Sequence, residues 1–293
     1  MNRFNRLHIT FFTAVTAVMF LLMTASCSTS PKNSGDVTDI RILTEKELAS
    51  ANREAGRGNL EIAFGLLTGC KTRAIMVDDT SLMIRSGLSL GNTLFSLGRN
   101  EEAFAEIEKA VAMAQNHGDS ELLSISRIFL ARGRLITGGA SAQSVLDEVN
   151  RYAGNIRKDR LYIAFSWQVR GLALRELGSF AEAENSVRRS LDIHVKDKYL
   201  ENAAYDWYMI ASIRSLAGNA SGAVQALESS LDLDRRVENT WGLAANWRAM
   251  GDVHRRAGKS KEAAEAWQRS RAIFAAMGND YEVAEIDKRL TGN

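Results

Sequence analysis

Apolar residues recur along the chain with the spacing of three to four residues that is typical of amphipathic helices. Two such stretches follow each other in the clearest example: Leu90, Leu94 and Leu97, and then Phe104, Ile107 and Val111. A short polar segment, Arg99 to Glu101, separates them. Pro31 is the only proline, so no proline interrupts a helix after it. The pattern predicts antiparallel helices joined by short turns.

A long internal repeat organises this pattern. Six glycines mark it at a constant interval of forty positions: Gly58, Gly98, Gly138, Gly178, Gly218 and Gly258. Small residues recur seven positions before, five after and twelve after these glycines in almost every copy. Glycine suits the left-handed conformation that ends many helices, and small side chains allow two helices to approach closely. Each copy is therefore predicted to be a helix–turn–helix whose first helix ends at the glycine.

These columns resemble the tetratricopeptide repeat, in which an aromatic residue, a small residue, the turn glycine, an alanine and another small residue follow in order. Trp167, Trp207 and Trp247 occupy the aromatic position and are expected to pack inside the repeats. The resemblance covers residues 44–278 and implies an all-α, right-handed superhelical solenoid of six helix pairs. Its period exceeds the usual length of about 34 residues, as in the longer-period branch of the family.

The third copy departs from the pattern. Gln143, Asp147 and Asn150 fall on positions that are usually buried, and apolar residues reappear two places later. The simplest explanation is a longer turn at Gly138-Gly139-Ala140, after which the second helix starts late. We therefore expect a distorted repeat here and no domain boundary.

Both ends of the repeat region carry a signal for a helix. Thr44-Glu45-Lys46-Glu47 resembles a capping box and predicts that the first helix starts there. The segment Asn279–Leu290 follows the last repeat and predicts a C-terminal capping helix. Such a helix is needed because the last repeat of a solenoid would otherwise expose its apolar face.

The N-terminal segment has the composition of a secretory signal. Arg3 and Arg6 precede an apolar run that ends at Ala25, and Ser26 and Cys27 follow. This order resembles a bacterial lipoprotein signal, which implies cleavage before Cys27 and attachment of lipid, palmitate included, to that cysteine. An uncleaved N-terminal helix anchor is the alternative. Both interpretations place the rest of the chain outside the cytoplasm and attached to a membrane.

Three regions follow from this interpretation. Residues 1–26 form the lipoprotein signal peptide, residues 27–38 the lipidated cysteine and a flexible tether, and residues 39–293 the repeat domain. Resemblance to enterobacterial lipoproteins implies that Ser28, directly after the lipidated cysteine, favours the periplasmic face of an outer membrane over the inner membrane.

Charge and cysteine content restrict the partners. The chain has 37 basic and 35 acidic residues, and removal of Arg3 and Arg6 with the signal leaves a net charge of zero. Binding to nucleic acid usually needs a basic face, so no nucleic-acid partner is expected. Once Cys27 carries lipid, Cys70 is the only remaining thiol, and we expect it to be a small buried residue.

The sequence lacks several common catalytic motifs. The HExxH, CxxC, GxGxxG and Walker patterns are absent. Three histidines remain after removal of the signal, His117, His194 and His254, and they lie in different repeats, far apart in the sequence. We therefore expect no enzymatic activity, no cofactor and no metal site.

The resemblance implies that the first helix of each pair lines a concave groove that binds a peptide or protein. Carried over by position, the candidate residues are Arg85, Asn92, Arg132, Gln168, Arg175, Tyr205, Tyr208, Ser212, Arg248, Asp252 and Arg255. Arginine and tyrosine are enriched at interface hot spots. The implied function is that of a membrane-anchored, extracytoplasmic scaffold for a partner protein.

Two other functions are open at this point. The superhelix could enclose a small hydrophobic or aromatic ligand among Phe165, Tyr205 and Tyr208, as a ligand-binding or transport-associated lipoprotein would. The ends of the repeat array could also stack on each other and form a homo-oligomer.

Overall fold

The computed structural model describes residues 39–291, which form thirteen α-helices and one short 3-10 helix, with no strand among them. The signal peptide, Cys27 and the tether lie outside the described residues. The helices are α1 (Asp39–Gly56), α2 (Leu60–Met76), α3 (Thr80–Ser96), α4 (Asn100–His117), α5 (Ser120–Ile136), α6 (Ala142–Tyr152), α7 (Arg160–Glu176), α8 (Phe180–Lys196), α9 (Leu200–Leu216), α10 (Ala220–Arg236), α11 (Thr240–Arg256), α12 (Ser260–Ala276) and α13 (Asp280–Thr291). Odd-numbered helices up to α11 are the first helices of six pairs, even-numbered helices are the second helices, and α13 follows the last pair. This is the predicted solenoid of helix pairs.

The predicted turn conformation is confirmed at all six glycines, whose φ angles lie between 72° and 80°. After α1, the Gly58 amide donates to the Ala55 carbonyl at 3.1 Å and the Asn59 amide donates to the Glu54 carbonyl at 2.9 Å. These are the two hydrogen bonds of the Schellman motif. An L-residue loses about 1–2 kcal/mol in this conformation, which explains why glycine recurs.

Turns between successive pairs use the same left-handed conformation. Gly118 and Gly278 adopt it, and so do three residues with side chains, Asp78, Lys198 and Glu238, with φ angles of 51–62°. Every repeat except the third is thus built from two helix–turn units of similar geometry.

Close approach within each pair depends on the small residue in the first helix. A Cβ atom placed on Gly91 would lie 2.5 Å from Ile107, and one placed on Gly171 would lie 2.5 Å from Val187. On Gly251 it would lie 2.3 Å from Trp267. Glycine therefore stands where the facing residue of the second helix is bulky.

The serines twelve positions after the turn glycine in the last three pairs are buried and hydrogen-bonded. The Ser230 hydroxyl donates to the Ala204 carbonyl and the Ser270 hydroxyl donates to the Ala244 carbonyl, both at 2.8 Å. Cys70 holds the same position in the first pair and is fully buried, as predicted. Burial raises the pKa of its thiol.

The tryptophans of the aromatic column pack within the repeats. Trp207 and Trp247 contact the buried core of the fourth to sixth pairs. A guanidinium lies over each of these rings, that of Arg269 at 4.5 Å from the centroid of Trp247 and that of Arg188 at 5.8 Å from the centroid of Trp207. Trp167 is half-buried beneath Arg189.

The third pair has the predicted late start. Its second helix, α6, begins at Ala142, and the Ser141 hydroxyl accepts a hydrogen bond from the Ser144 amide at its N-terminus. Val145 and Val149 are 1% exposed. The helix ends early in a 3-10 turn at Ala153–Asn155. The shift of two positions returns the apolar side chains of this helix to the core.

The predicted start of the first helix is wrong. The chain is helical from Asp39, five positions before Thr44. The Thr44 hydroxyl donates to the Ile40 carbonyl at 2.7 Å and the residue is fully buried, so it lies within the helix and does not cap it.

The C-terminal helix covers the last pair as expected. Ile286 of α13 is fully buried in a cluster with Trp267 and Phe274 of α12. None of the described helices is both long and apolar enough to cross a bilayer.

The turn of the first pair contacts residues far along the sequence. Arg57 donates to the Val237 carbonyl at 3.2 Å and lies 3.4 Å from a Glu201 carboxylate oxygen. A Cβ atom on Gly58 would lie 2.6 Å from the ring of Trp241. The repeat array therefore curves until its first turn meets the starts of α9 and α11.

Substitution of Gly171 by alanine tests the close approach. The added methyl would lie 2.5 Å from Val187 and 3.2 Å from the Ala183 carbonyl. Overpacking of this kind costs about 1–3 kcal/mol, so the midpoint of thermal unfolding should fall. Gly65→Ala is the matched control: nothing lies within 4 Å of its new methyl, and loss of a mid-helix glycine should stabilise by up to about 1 kcal/mol. Equal midpoints for the two variants would contradict the explanation.

Candidate functional site

The predicted groove residues lie along one side of the first helices, and we call this surface the inner face. Contacts between successive first helices occur there. Arg132 of α5 donates to the side-chain carbonyl of Asn92 of α3 at 2.7 Å, and Arg175 of α7 donates to the Ser212 hydroxyl of α9 at 3.3 Å. The inner face is therefore a continuous surface built from neighbouring helices.

The middle of the inner face brings five predicted residues together: Arg175, Tyr205, Tyr208, Ser212 and Arg248. We call them the tyrosine cluster. The rings of Tyr205 and Tyr208 are stacked, with centroids 6.3 Å apart and planes inclined by 15°. Tyr205 is 48% exposed. Burial raises the pKa of the Tyr208 hydroxyl, and two guanidinium groups, those of Arg248 and Arg175, lie close enough to act against this shift.

The C-terminal end of the inner face is engaged with α13. Arg248 forms an ion pair with Glu282. Asp252 accepts hydrogen bonds from the Trp267 indole at 3.1 Å and from Arg289 at 3.3 Å. Arg255 also contacts both of these residues: it donates to the Arg289 carbonyl at 3.3 Å and lies over the Trp267 ring. Asp252 and Arg255 thus lie on the inner face and also hold the capping helix α13 against the last pair.

The N-terminal half of the inner face is built around Arg85. Its guanidinium lies near the Tyr162 side chain of α7 and 3.8 Å from a Glu45 carboxylate oxygen of α1. Burial raises the pKa of the Tyr162 hydroxyl. Phe165 stacks on Phe129 with centroids 4.3 Å apart. Phe165 was predicted to share a ligand pocket with Tyr205 and Tyr208. The structure gives this prediction no support, since the ring of Phe165 contacts α5.

One predicted lining residue, Gln168, is used inside the fold. Its amide donates to the carboxylate of Asp206 at 2.7 Å. Asp206 is fully buried between α7, α8 and α9. Gln168 therefore connects the inner face to the packing between pairs.

Solved structures with the same arrangement of helices identify the fold. A variant of a Podosopora anserina protein, assigned as a kinesin light chain with nearly identical tetratricopeptide-like repeats, is 20% identical, with a TM-score of 0.52 over 68% of this chain and 97% of that one. The Rap protein complexed with competence and sporulation factor is 12% identical, with a TM-score of 0.58 over 85% of this chain and 74% of that one. The chain has the tetratricopeptide-like repeat fold.

Further comparisons agree with this fold. PlcR of Bacillus thuringiensis, solved with the peptide PapR7 and DNA, is 9% identical, with a TM-score of 0.60 over 70% of this chain and 74% of that one. The family model of anaphase-promoting complex subunit 5 matches residues 75–132, which span the second pair and the start of the third. No curated protein matches the sequence significantly.

Two of the tetratricopeptide-like pairs are joined to the next by buried polar networks. In the first network, His194 of α8 is 1% exposed, and its Nδ1 atom lies 2.6 Å from the Asp206 carboxylate. The Ser190 hydroxyl lies 3.1 Å from the same carboxylate. Burial raises the pKa of Asp206, although these hydrogen bonds oppose the shift.

Serine, histidine and aspartate are the residue types of a hydrolase triad, but their order in space differs. In a triad the histidine stands between the other two, with one ring nitrogen toward each. Here Asp206 stands between Ser190 and His194, and Nδ1 is the ring nitrogen nearest to both. All three are buried, so the network holds two repeats together.

The second network occupies the same positions in the next repeat. Asp234 of α10 is 2% exposed and accepts hydrogen bonds from the side-chain amides of Asn239 at 2.8 Å and Asn246 at 2.7 Å. Burial raises the pKa of Asp234 to about 6. The Asn246 side-chain carbonyl is buried and has no hydrogen-bond partner among the described residues.

Neither network was predicted from the sequence. A usable signal existed, because the separation of His194 and Asp206 along the chain recurs between Asp234 and Asn246, at the same repeat positions. Other copies carry small residues there, such as Ala114 with Ser126. Polar pairs of this kind are visible only after the repeat is aligned on itself.

Asp234→Asn should remove a pH-dependent loss of stability. The folded-state pKa of about 6 exceeds the ordinary value of 3.8, so the folded protein holds a proton that the unfolded chain releases between these values. Stability should therefore fall as pH rises from 4 to 7, by up to about 3 kcal/mol. Asparagine does not titrate, and its amide can donate to the unpartnered Asn246 carbonyl.

Urea unfolding of wild type and variant at several pH values measures this effect. The two stability curves should converge near pH 4 and separate above pH 6, with the variant more stable. Asp232→Asn is the matched control, because Asp232 is exposed and pairs with Arg235. Parallel curves for wild type and Asp234→Asn would show that Asp234 does not titrate in this range.

Proposed function

We propose that the protein is a membrane-anchored, extracytoplasmic scaffold that binds an extended segment of a partner protein along the inner face. The observation that carries the proposal is the tyrosine cluster, where a stacked pair of partly exposed rings lies near two arginines. Rings supply contact area at low entropic cost, and guanidinium groups supply directed hydrogen bonds. A small number of residues of this kind can supply most of the binding free energy of an interface.

The chemistry of the cluster indicates the kind of segment. Arg175, Ser212 and the Tyr208 hydroxyl can all donate hydrogen bonds, and Arg132 is bonded on this face to a neutral amide, that of Asn92. A segment with an acidic side chain beside an apolar or aromatic one would pair with these donors and cover the rings. The neighbours support binding of this type, since Rap is complexed with competence and sporulation factor and PlcR with the peptide PapR7.

The location rests on the N-terminal sequence. We propose that the signal is cleaved before Cys27, that this residue carries lipid, and that the repeats hang from a tether formed by residues 28–38. Several acyl chains would hold the protein firmly, since each buried CH₂ contributes about 0.8 kcal/mol. We place it at the periplasmic face of the outer membrane.

Mass spectrometry of the N-terminal peptide tests the anchor. Protein extracted from membranes should begin at Cys27 and carry the mass of a diacylglyceryl group together with an amide-linked acyl chain. Cys27→Ser should remove this mass and release the repeats into the soluble envelope fraction. A peptide that begins at Met1 would favour the uncleaved helix instead.

Selection from a random peptide library tests the inner face. Purified protein should enrich peptides in which an acidic residue lies beside an aromatic or large apolar one. The double variant Arg175→Ala, Tyr208→Ala should bind a selected peptide about tenfold more weakly or worse, because loss of hot-spot contacts exceeds about 1.4 kcal/mol. Fluorescence anisotropy gives the two dissociation constants.

Arg188→Ala, Tyr281→Ala is the matched control, because both residues are exposed and lie on α8 and α13 rather than on a first helix. Its affinity should equal that of wild type. Equal affinity of the Arg175 and Tyr208 variant would refute the proposal. A small molecule that co-purifies with the protein in native mass spectrometry would favour the ligand-binding alternative.

A further inference from the structure

The first helix pair has an unusually apolar surface. Six of the thirteen large apolar side chains that are exposed between residues 39 and 291 belong to α1 and α2. They are Ile40, Ile42, Leu43, Ile62, Ile75 and Met76. These two helices contain far fewer than half of the described residues, so the exposed apolar surface is concentrated here.

The outer side of α2 differs from that of the other second helices. Ile62, Gly65, Gly69, Thr72 and Met76 are spaced by three and four positions and therefore share one face. This face lies away from the buried stripe of α2, and Ile62 and Met76 are 57% and 71% exposed. We call it the α2 outer face. It carries no charge.

The other copies show that a charged surface is the rule at these positions. The equivalent residues of α4 are Glu102, Ala105, Lys109, Ala112 and Asn116. Those of α8 are Glu182, Asn185, Arg189, Asp192 and Lys196. Helices α10 and α12 carry charges there as well, among them Asp232 and Arg269. Among these five second helices, the loss of charge is therefore specific to the first pair and is not a property of the repeat.

The first turn of α1 extends this surface. Thr44 and Glu47 of α1 contact Arg73 of α2, so the start of α1 lies beside the end of α2. Leu43, 55% exposed, is thus at the same end of the pair as Met76. The chain enters the described structure at this end, directly after the tether.

The length of the tether decides what can cover this surface. Residues 28–38 span at most about 40 Å when fully extended, and α2 is about 25 Å long. An anchor at Cys27 therefore keeps the whole of α2 within reach of the bilayer. A single helix face is also much smaller than the roughly 1,200 Å² that a stable protein–protein interface buries, so a second copy is the weaker candidate.

We propose that the α2 outer face, with the first turn of α1, docks on the lipid surface and sets the orientation of the solenoid on the membrane. The inference rests on the proposed anchoring at Cys27. Apolar side chains that enter the interface gain free energy in proportion to the buried area, and the attached lipid removes most of the entropic cost of association.

A fluorescent probe at the α2 outer face tests docking. The full lipidated chain with Thr72→Cys is labelled at that thiol with an environment-sensitive dye; wild-type Cys70 is fully buried and Cys27 is acylated. The matched control is Ala112→Cys, the exposed equivalent position on α4. Both proteins are reconstituted into vesicles of phosphatidylethanolamine and phosphatidylglycerol. Quenching by acrylamide is then measured, because this uncharged quencher is not repelled by the anionic lipid.

Docking should make the probe at position 72 several-fold less accessible to acrylamide than the probe at position 112. The variant Ile62→Glu, Met76→Asn, which installs the residues of the second copy, should restore access while circular dichroism stays unchanged. Equal quenching at both positions, in protein that floats with the vesicles, would overturn docking and leave the anchor intact.

Two further outcomes also contradict the inference. Protein that does not float with the vesicles would overturn the anchor and the docking together. Protection at position 72 that disappears as the protein is diluted in the vesicles would show that a second copy, and not lipid, covers the α2 outer face.

Discussion

The contact between the two helices of each pair governs the rest of the structure. A glycine or alanine in the first helix lets it approach the second helix so closely that, at the glycine positions, even one methyl group would collide with Ile107, Val187 or Trp267. Because this distance is fixed, the left-handed turns can return the chain at a regular interval and each pair can cover the next. The curvature that results brings Arg57 to the carbonyl of Val237, which lies four repeats further along the chain. The residues of the inner face come from different first helices, and the packing that curves the array also brings these helices side by side.

Polar groups join successive pairs where an apolar core alone would allow them to slide. Asp206 and Asp234 lie at equivalent contacts between neighbouring pairs, the first on a first helix and the second on a second helix, and burial raises the pKa of both carboxyl groups. A buried carboxylate is costly unless its hydrogen bonds are made, so each network accepts only one register between neighbouring helices. Gln168 shows the link to function, because it belongs by position to the inner face but holds Asp206. Changes in the packing between pairs would therefore alter the face that is proposed to bind a partner.

Much of this fold could be predicted from the sequence because its determinants are local or periodic. The turn glycines, the small columns and the late start of α6 follow from spacing alone. The start of α1 could not be predicted, since Thr44 satisfies its hydroxyl on the carbonyl four positions earlier as readily as it would cap a helix. The candidate site residues lie on the first helices, but their partners were not foreseen. Whether Arg85 meets Tyr162, or Asp252 meets Arg289, depends on the angle between pairs, which no single repeat encodes.

In a repeat protein, each copy can be compared with the other copies of the same chain. The second helices meet a similar packing requirement on their buried side, so most of that side is small or apolar in every copy, apart from the shift in α6 and the buried His194 and Asp234. Differences on the outer side are free of this requirement and reflect what each copy contacts. By this reasoning, the uncharged residues of α2 and the charged residues of α8 indicate different surroundings for two helices with the same place in the repeat. The first pair follows the segment that is proposed to carry lipid. Its position in the chain therefore places its uncharged outer face close to the proposed membrane anchor.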